Sequence, residues 1–323
     1  MVGVKVGKFL RGKIAALLAV ILVVAAIFTI ANKSYMSPKN IMALMTSVSL
    51  SGTLAVGLGC LLISGHVDLA SGTEGCIAGI VVALLLGTGM PWPVALLLTI
   101  AFGCVMGLVN AFLVNTLGFM AFIATIGMSS VYKGLALVIS NGSNVSISNQ
   151  AFYDIGSGSI GIFPAPFIMM AALFAVYTLI LKFTKFGRAV YLCGGNVSAA
   201  RLAGVSPKRV SSILFVNSGA ISAFAGAVFA ARVHMGGPNN VFGAEMDAIA
   251  ASVLGGVSFT GGSGGLGGAF VGLILINAFN NGLNAIGLQA YWQTAAQGVI
   301  LIAALLVDYF GERGRVRALK PAS

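Results

Sequence analysis

Charged residues are scarce in this chain of 323 residues: they make up 8% of it, whereas hydrophobic residues make up 58%. Soluble domains average about 25% charged residues, so the composition excludes an ordinary soluble protein. The mean hydropathy is +1.02, and several apolar runs reach the roughly 20 residues that cross the hydrocarbon core of a bilayer. The sequence therefore predicts a polytopic membrane protein.

Motifs for catalysis and for cofactor binding are equally sparse. The four cysteines form no CxxC pair, and neither His66 nor His234 belongs to an HExxH motif or a nucleophile elbow. Residues 7–13 fit the P-loop spacing GxxxxGK, but Ile14 follows where Ser or Thr would hold magnesium. We therefore expect no enzyme active site, no metal site and no cofactor bound by this chain. If ATP and Mg²⁺ drive its function, a partner subunit must use them.

The basic residues occupy three regions of the chain. The net charge is +11, and fourteen of the eighteen Lys and Arg residues lie before Ile14, between Lys182 and Arg209, or after residue 312. Cytoplasmic segments of membrane proteins carry such an excess, so we predict that both termini and the loop 184–211 are cytoplasmic. This placement explains the positive charge without a nucleic-acid partner.

The apolar segments predict one membrane-embedded, all-α domain over residues 1–323, with about ten transmembrane helices. The predicted spans are 14–31, 41–63, 75–89, 94–114, 121–140, 164–183, 212–234, 246–258, 264–284 and 292–309. With the N-terminus inside, this count also places the loop 184–211 and the C-terminus inside, in agreement with the charges.

A short internal repeat suggests two halves of opposite orientation. The sequence VNAF at 109–112, in the fourth span, recurs as INAF at 276–279, in the ninth. Spans five apart run in opposite directions, so the halves would form two inverted repeats with broken helices, a plan that many transporters use.

The polar stretch 64–74 interrupts the apolar pattern with His66, Asp68 and Glu74. An acid at the centre of a span costs roughly 2.5–3.5 kcal/mol on insertion scales, so these side chains need water, a cavity or a polar partner. Two interpretations are open: a discontinuous helix that lines a translocation route, or a loop in which Asp68 or Ser71 caps the next helix.

Two further polar groups have alternative roles. Glu245 and Asp247 begin the eighth predicted span on its predicted outer side, where they either stabilise the helix N-terminus or dock an external protein. Amides in or beside spans either bond neighbouring helices or face a polar pathway, because lipid offers no partner. As candidates for the substrate pathway we take His66, Asp68, Asn110, Asn280, Asn281 and Gln293.

Five motifs occur in the order found in one transporter family. They are SGHVDLASG at 64–72, FIATIG at 122–127, GGNVSAARLAG at 194–204, DAIAASVLGG at 247–256, and NNGLN at 280–284 with YWQ at 291–293. Through them the chain resembles, over nearly its whole length, the permease subunits of ribose/galactose-type carbohydrate ABC importers.

The resemblance implies a permease subunit that moves a sugar or sugar-like polyol across the bacterial inner membrane. It implies a second copy of the permease or a close paralogue, a cytoplasmic ABC ATPase, a periplasmic sugar-binding protein and surrounding lipid as partners. Glu245 and Asp247 become candidates for docking the binding protein, and the loop 184–211 would couple to the ATPase. The coupling candidates are Gly195, Asn196, Ser198, Ala199, Ala200, Arg201 and Gly204.

Three residues depart from the family pattern. His66 stands where the family usually has Gly, Glu74 where it is usually apolar, and Ser198 where it usually has Glu. The first two would signal an unusual substrate, and the third would alter pairing with the ATPase. The rival class is a secondary transporter or facilitator, which inverted repeats and broken helices would suit. Against it, the acids available for ion coupling, Asp68, Glu74, Glu245 and Asp247, each lie near the end of a predicted span.

Overall fold

A computed structural model provides the three-dimensional structure. It describes the backbone of residues 2–289, with side chains from Ile14 onward, and residues 292, 295, 298, 299 and 302. Most of the tenth predicted span (292–309), Gln293 and the basic C-terminal segment lie outside the described residues.

Helices dominate the described part of the chain. They are α1 (Val2–Ala31), α2 (Pro38–Ile63), α3 (Ser71–Gly87), α4 (Trp92–Asn115), α5 (Ala121–Ile139), α6 (Gln150–Ser157), α7 (Ala165–Phe183), α8 (Lys185–Gly195), α9 (Val197–Leu202), α10 (Pro207–Val233), α11 (Ala244–Leu254) and α12 (Leu266–Ala285), with a 3₁₀ turn at Lys33–Met36. Four two-residue strands form two antiparallel pairs, β1 (Val145–Ser146) with β4 (Met235–Gly236) and β2 (Ser159–Ile160) with β3 (Phe163–Pro164).

Seven of these helices, α1, α2, α4, α5, α7, α10 and α12, are long and apolar enough to cross a membrane. They coincide with seven predicted spans, so the prediction of an all-helical, multi-pass membrane protein is confirmed. The predicted spans 75–89 and 246–258 correspond to α3 and α11, which have 17 and 11 residues. An 11-residue helix rises about 16 Å, roughly half of the hydrocarbon core. The predicted count of ten is therefore not confirmed.

Helices α2 and α10 form the centre of the fold. In its most apolar 18-residue window, α2 is 83% buried and α10 is 61% buried, whereas the corresponding window of α1 is 11% buried. α10 packs against α2, α3 and α4, and α12 packs against α1, α2 and α11. The outer helices present exposed Leu, Ile, Val and Phe side chains, the surface that a hydrocarbon environment requires.

Glycines allow the close approach of these helices. A Cβ atom at Gly103 of α4 would lie 2.4 Å from the carbonyl oxygen of Gly219, and one at Gly272 of α12 would lie 2.2 Å from the backbone of α11. The four-residue spacing of Gly268 and Gly272 predicts such contact, and the structure confirms it. Gly264 has the same spacing but lies in the turn before α12, because its φ of +106° is incompatible with a right-handed helix.

Candidate functional site

Two helix breaks bring the polar segments into the protein interior. After α2, residues 64–70 lead into α3; after α10, residues 234–243 lead into α11. Left-handed backbone at Gly65 (φ +81°) and at His234 (φ +60°) ends the two preceding helices. Irregular backbone at membrane depth is tolerated only where protein or a water-filled cavity surrounds it. The helical backbone is therefore interrupted after α2 and again after α10.

Asp68 is fully buried within the first break and is hydrogen-bonded on both carboxylate oxygens. Its Oδ1 accepts from the backbone N–H of Ala70 at 3.0 Å and from Nδ2 of Asn110 at 3.4 Å. Its Oδ2 accepts from the hydroxyl of Ser218 at 2.9 Å. Because a buried carboxylate needs such donors, Asp68 joins α3, α4 and α10. Its bond to Ala70 is local, but Ala70 is itself the N-cap of α3 and no side chain of the described residues caps that helix, so the capping role considered for Asp68 or Ser71 is wrong.

Asn110 links Asp68 to a second buried acid. Its Nδ2 also donates to Oε1 of Glu74 at 3.0 Å, and its Oδ1 accepts from the hydroxyl of Tyr132 at 3.5 Å. The other oxygen of Glu74, Oε2, has no hydrogen-bond partner among the described residues. We call Asp68, Glu74, Asn110, Tyr132 and Ser218 the acid–amide cluster. It contains two carboxyl groups and no cation.

The N-terminus of α11 lies against the N-terminus of α3. Glu245 is 4% exposed, and its Oε2 accepts from the backbone N–H of Gly243 at 2.9 Å. A Cβ atom at Gly72 would lie 1.8 Å from that same Oε2. Glu245 thus faces the interior of the chain, and the exposed side chains at this end of α11 are Phe242 and Met246. Asp247 is partly buried.

Replacement of Gly72 by Ala is expected to prevent the two helix ends from meeting. The added methyl group would overlap the Glu245 carboxylate, and overpacking of this kind costs typically about 1–3 kcal/mol. We expect a lower thermal midpoint in detergent and partial recovery when Glu245→Ala is added. Gly134→Ala in α5 is the control, because nothing lies within 4 Å of the added Cβ there. Equal midpoints for the Gly72 and Gly134 variants would contradict the contact.

His66 lies at the start of the first break as a half-buried group. Its Nδ1 is 3.2 Å from the hydroxyl of Ser64, and its ring makes an edge contact with Phe215 at 6.0 Å. These are the contacts of a polar group at a helix end. A role for His66 in the substrate pathway stays a prediction.

The amides near the end of α12 form a separate group. Asn281 and Asn40 of α2 exchange hydrogen bonds of 2.8 and 3.2 Å through their side chains. Asn280 is partly buried, and its Oδ1 lacks a hydrogen-bond partner within the described ranges. Asn277 bonds Ser51 at 3.3 Å. These contacts join α12 to α2, whereas Asn110 joins α4 to α3, so the described pathway candidates do not converge on one point.

The sequence pattern does not distinguish Ser218, Tyr132 or Asn40 as site residues. All three lie in or beside strongly apolar helices, where a single hydroxyl or amide has no helical periodicity to distinguish it. Their common signal is chemical: lipid cannot satisfy a polar side chain, so each needs a partner inside the protein. The sequence shows that each of these side chains needs a polar partner, but it does not identify the partner.

The loop 184–211 contains two helices, α8 and α9, separated by Asn196. The side chain of Asn196 caps α9 by accepting from the backbone N–H of Ala199 at 2.9 Å, and Gly204 (φ +76°) follows its end. Leu202 is 91% exposed, whereas Ala200 is completely buried. Ala200 therefore fixes α9 to the protein body. The outward face consists of Gly195, Asn196, Ser198, Arg201, Leu202 and Gly204.

Backbone contacts connect this loop to the first helix break. A Cβ atom at Gly194 would lie 2.0 Å from the carbonyl oxygen of Ile63, the last residue of α2. The same carbonyl accepts a 2.8 Å hydrogen bond from the N–H of Gly262, and Gly261 lies against Gly65. The base of the loop, the end of α2 and the turn before α12 therefore meet without intervening side chains.

Comparison with known proteins identifies relatives along nearly the whole chain. Residues 40–305 match the family described as branched-chain amino acid transport system / permease component. The ribose import permease protein of Bacillus subtilis is 34% identical over 288 residues, covering 88% of this chain and 89% of that protein. The L-arabinose ABC transporter permease protein of Azospirillum brasilense is 33% identical over 306 residues, covering 95% and 90%. No solved structure matches the chain significantly.

A further relative has the same character: the ribose import permease protein of Escherichia coli K12 is 31% identical over 296 residues, 90% of this chain and 92% of that protein. These matches confirm the resemblance to carbohydrate import permeases that the five motifs indicate. The helix breaks, the acid–amide cluster and the loop 184–211 all fall within the matched residues 40–305. The chain belongs to the family of branched-chain amino acid transport system permease components.

Proposed function

We propose that this chain is the membrane-spanning permease subunit of an ATP-binding-cassette importer that carries a sugar or sugar-like polyol across the bacterial inner membrane. The names of the ribose and arabinose permeases support the substrate class. The chain itself is not an enzyme and binds no cofactor; a separate ATPase uses ATP and Mg²⁺. A periplasmic binding protein delivers the sugar.

The observation that carries the proposal is the outward face of α9. Leu202 is 91% exposed and stands beside the exposed Arg201, and arginine is among the residues enriched where partners bind most strongly. We assign this face to contact with the ATPase, on the cytoplasmic side together with both termini. Glycines at 195 and 204 leave room for close approach.

The contacts at the base of the loop provide a route for coupling. A displacement of α8 and α9 acts directly on Ile63 and on Gly262, because their backbones touch Gly194. Ile63 ends α2, and Gly262 precedes α12, so both helices would move with the loop. The α2 end continues into the segment that holds Asp68. Movement of the ATPase is thereby transmitted to the helix break without a long chain of side chains.

The order of the helices favours the inverted repeat. The long helix α2 is followed by a break, the shorter helix α3 and the long helix α4. In the same order, the long helix α10 is followed by a break, the shorter helix α11 and the long helix α12. The repeated Asn110 and Asn277 lie in the last helix of each set. We propose that these sets are the two inverted halves of one domain spanning 1–323. Two copies, or one copy and a close paralogue, form the complete pathway.

The candidate site residues receive roles within this proposal. His66, Asp68, Asn110, Asn280, Asn281 and Gln293 remain the candidates for the substrate pathway. Asp68 and Asn110 are completely buried, so helices must separate before the solute reaches these two. Glu245 and Asp247 remain candidates for docking the binding protein, with Glu245 released from its contact with Gly72.

Cross-linking at Ser198 tests the position of the ATPase. Ser198 is exposed on α9, so the Ser198→Cys variant, treated with a short bifunctional reagent in native membranes, should yield a product containing an ABC ATPase. Ser143→Cys is the matched control, since Ser143 is also exposed but lies between α5 and β1. An ATPase captured equally at both positions, or solute transport by the purified permease without ATP, would contradict the proposal.

A further inference from the structure

A groove of about 650 Å³ lies between the end of α7, α8 and the turn before α12. Its lining includes the apolar side chains Leu181, Leu192 and Leu266. Two basic side chains, Lys182 and Arg188, also line it, and both are exposed. None of the acids among the described residues lines the groove, so its charge is positive and uncompensated within the described chain.

The backbone around the groove adds to this positive character. α12 begins at Leu266, and its preceding residue Gly265 has no side chain with which to cap it. The first N–H groups of a helix carry a partial positive charge. Tyr191, on the opposite wall, donates its hydroxyl to the carbonyl of Gly264 at 2.9 Å, which holds α8 against the start of α12.

The end of α7 indicates where the groove would lie in a bilayer. α7 is long and apolar enough to span a bilayer and ends at Phe183, so Lys182 lies at the level of the lipid headgroups. Arg188 follows on α8, on the other side of the α7–α8 junction. A ligand in the groove would contact apolar side chains of the protein along its length and two cationic side chains at one end. Basic pockets between helices at this depth suit the headgroups of anionic phospholipids.

We propose that this groove binds one anionic phospholipid, with its phosphate between Lys182 and Arg188 and an acyl chain along Leu181 and Leu266. The phosphate would bond to the guanidinium of Arg188 in the two-pronged geometry that guanidinium groups favour. A soluble phosphate would use only the cationic end and leave the apolar lining empty. The phospholipid would thus tie α7 to α8 and to the start of α12. The inference requires only that the chain spans a membrane, not that it transports sugar.

Lipid binding to the purified full chain tests this site. We would titrate phosphatidylglycerol, phosphatidylcholine and inorganic phosphate separately onto the protein in neutral detergent and count bound molecules by native mass spectrometry. Each basic group near an anionic lipid contributes about 1 kcal/mol. We therefore expect Lys182→Gln with Arg188→Gln to weaken phosphatidylglycerol binding by about 30-fold.

A charge-matched control separates this site from general attraction. Lys185→Gln with Lys208→Gln removes the same charge from exposed positions outside the groove and should leave binding within about twofold, well below the effect of one basic group. Arg188→Lys, which keeps the charge, should retain most of the affinity and shows that a change at this position permits folding. Equal weakening by both double variants, equal binding of phosphatidylcholine, or binding of inorganic phosphate at the same site would overturn the proposal.

Discussion

Replacing Leu202 by Asp is expected to abolish ATP-driven uptake while leaving the permease folded. Leu202 is 91% exposed, so its side chain contributes little to the folding stability of its own chain. We therefore expect α9 to form without it. Loss of a residue that carries much of the binding free energy of an interface costs about 2 kcal/mol or more, which corresponds to a loss of about 30-fold in affinity for the ATPase. The measurement is solute uptake into proteoliposomes that contain permease, ATPase and binding protein.

Two controls make this result specific. Leu202→Met retains an apolar side chain of similar volume and should keep most of the uptake. Ile160→Asp changes an exposed apolar residue, 72% exposed, at the β2–β3 pair and should leave ATPase binding unchanged. If Leu202→Asp still binds the ATPase with the affinity of the unmodified chain, α9 is not the docking element. Loss of monodisperse protein for this variant would contradict its assignment to an outward face.

Replacing Asn110 by Leu is expected to destabilise the protein more than any surface change. The substitution removes the donor shared by Asp68 and Glu74, leaving two carboxyl groups buried with fewer partners. Leaving a buried acceptor without its donor costs about 1–3 kcal/mol, and more when the acceptor is charged. We expect a large decrease in the thermal midpoint in detergent, with uptake reduced in proportion to the folded fraction.

A double-mutant cycle identifies the cause of that loss. Adding Glu74→Leu to Asn110→Leu removes one of the two stranded acids, so the pair should be more stable than the sum of the single changes predicts. Asn115→Leu is the control on the same helix: Asn115 donates one neutral hydrogen bond to Ser212 at 2.9 Å, worth about 1 kcal/mol. Strict additivity of Asn110→Leu and Glu74→Leu would show that the amide does not link the two acids.

The acid–amide cluster shows how much of the site could be predicted. The positions of Asp68 and Glu74 in the sequence already require polar partners, because a buried acid without them is costly. Asn110, within an apolar span, requires a polar partner for the same reason. What the sequence does not contain is their pairing: Asp68 bonds Ser218, which is 150 residues away. Contacts of that separation depend on how α3, α4 and α10 pack, which no local pattern encodes.

The sequence by itself determined the membrane environment, the boundaries of most long helices and the family. Apolar run length, the placement of basic residues and five short motifs are local properties, and the bilayer selects for them directly. Only the tertiary structure decided that α3 and α11 are short helices whose N-termini meet, that Glu245 faces Gly72, and that Leu202 points outward. Those features follow from close contacts between glycine-bearing helices distant in sequence, where a difference of a few ångströms decides whether a side chain is buried or exposed.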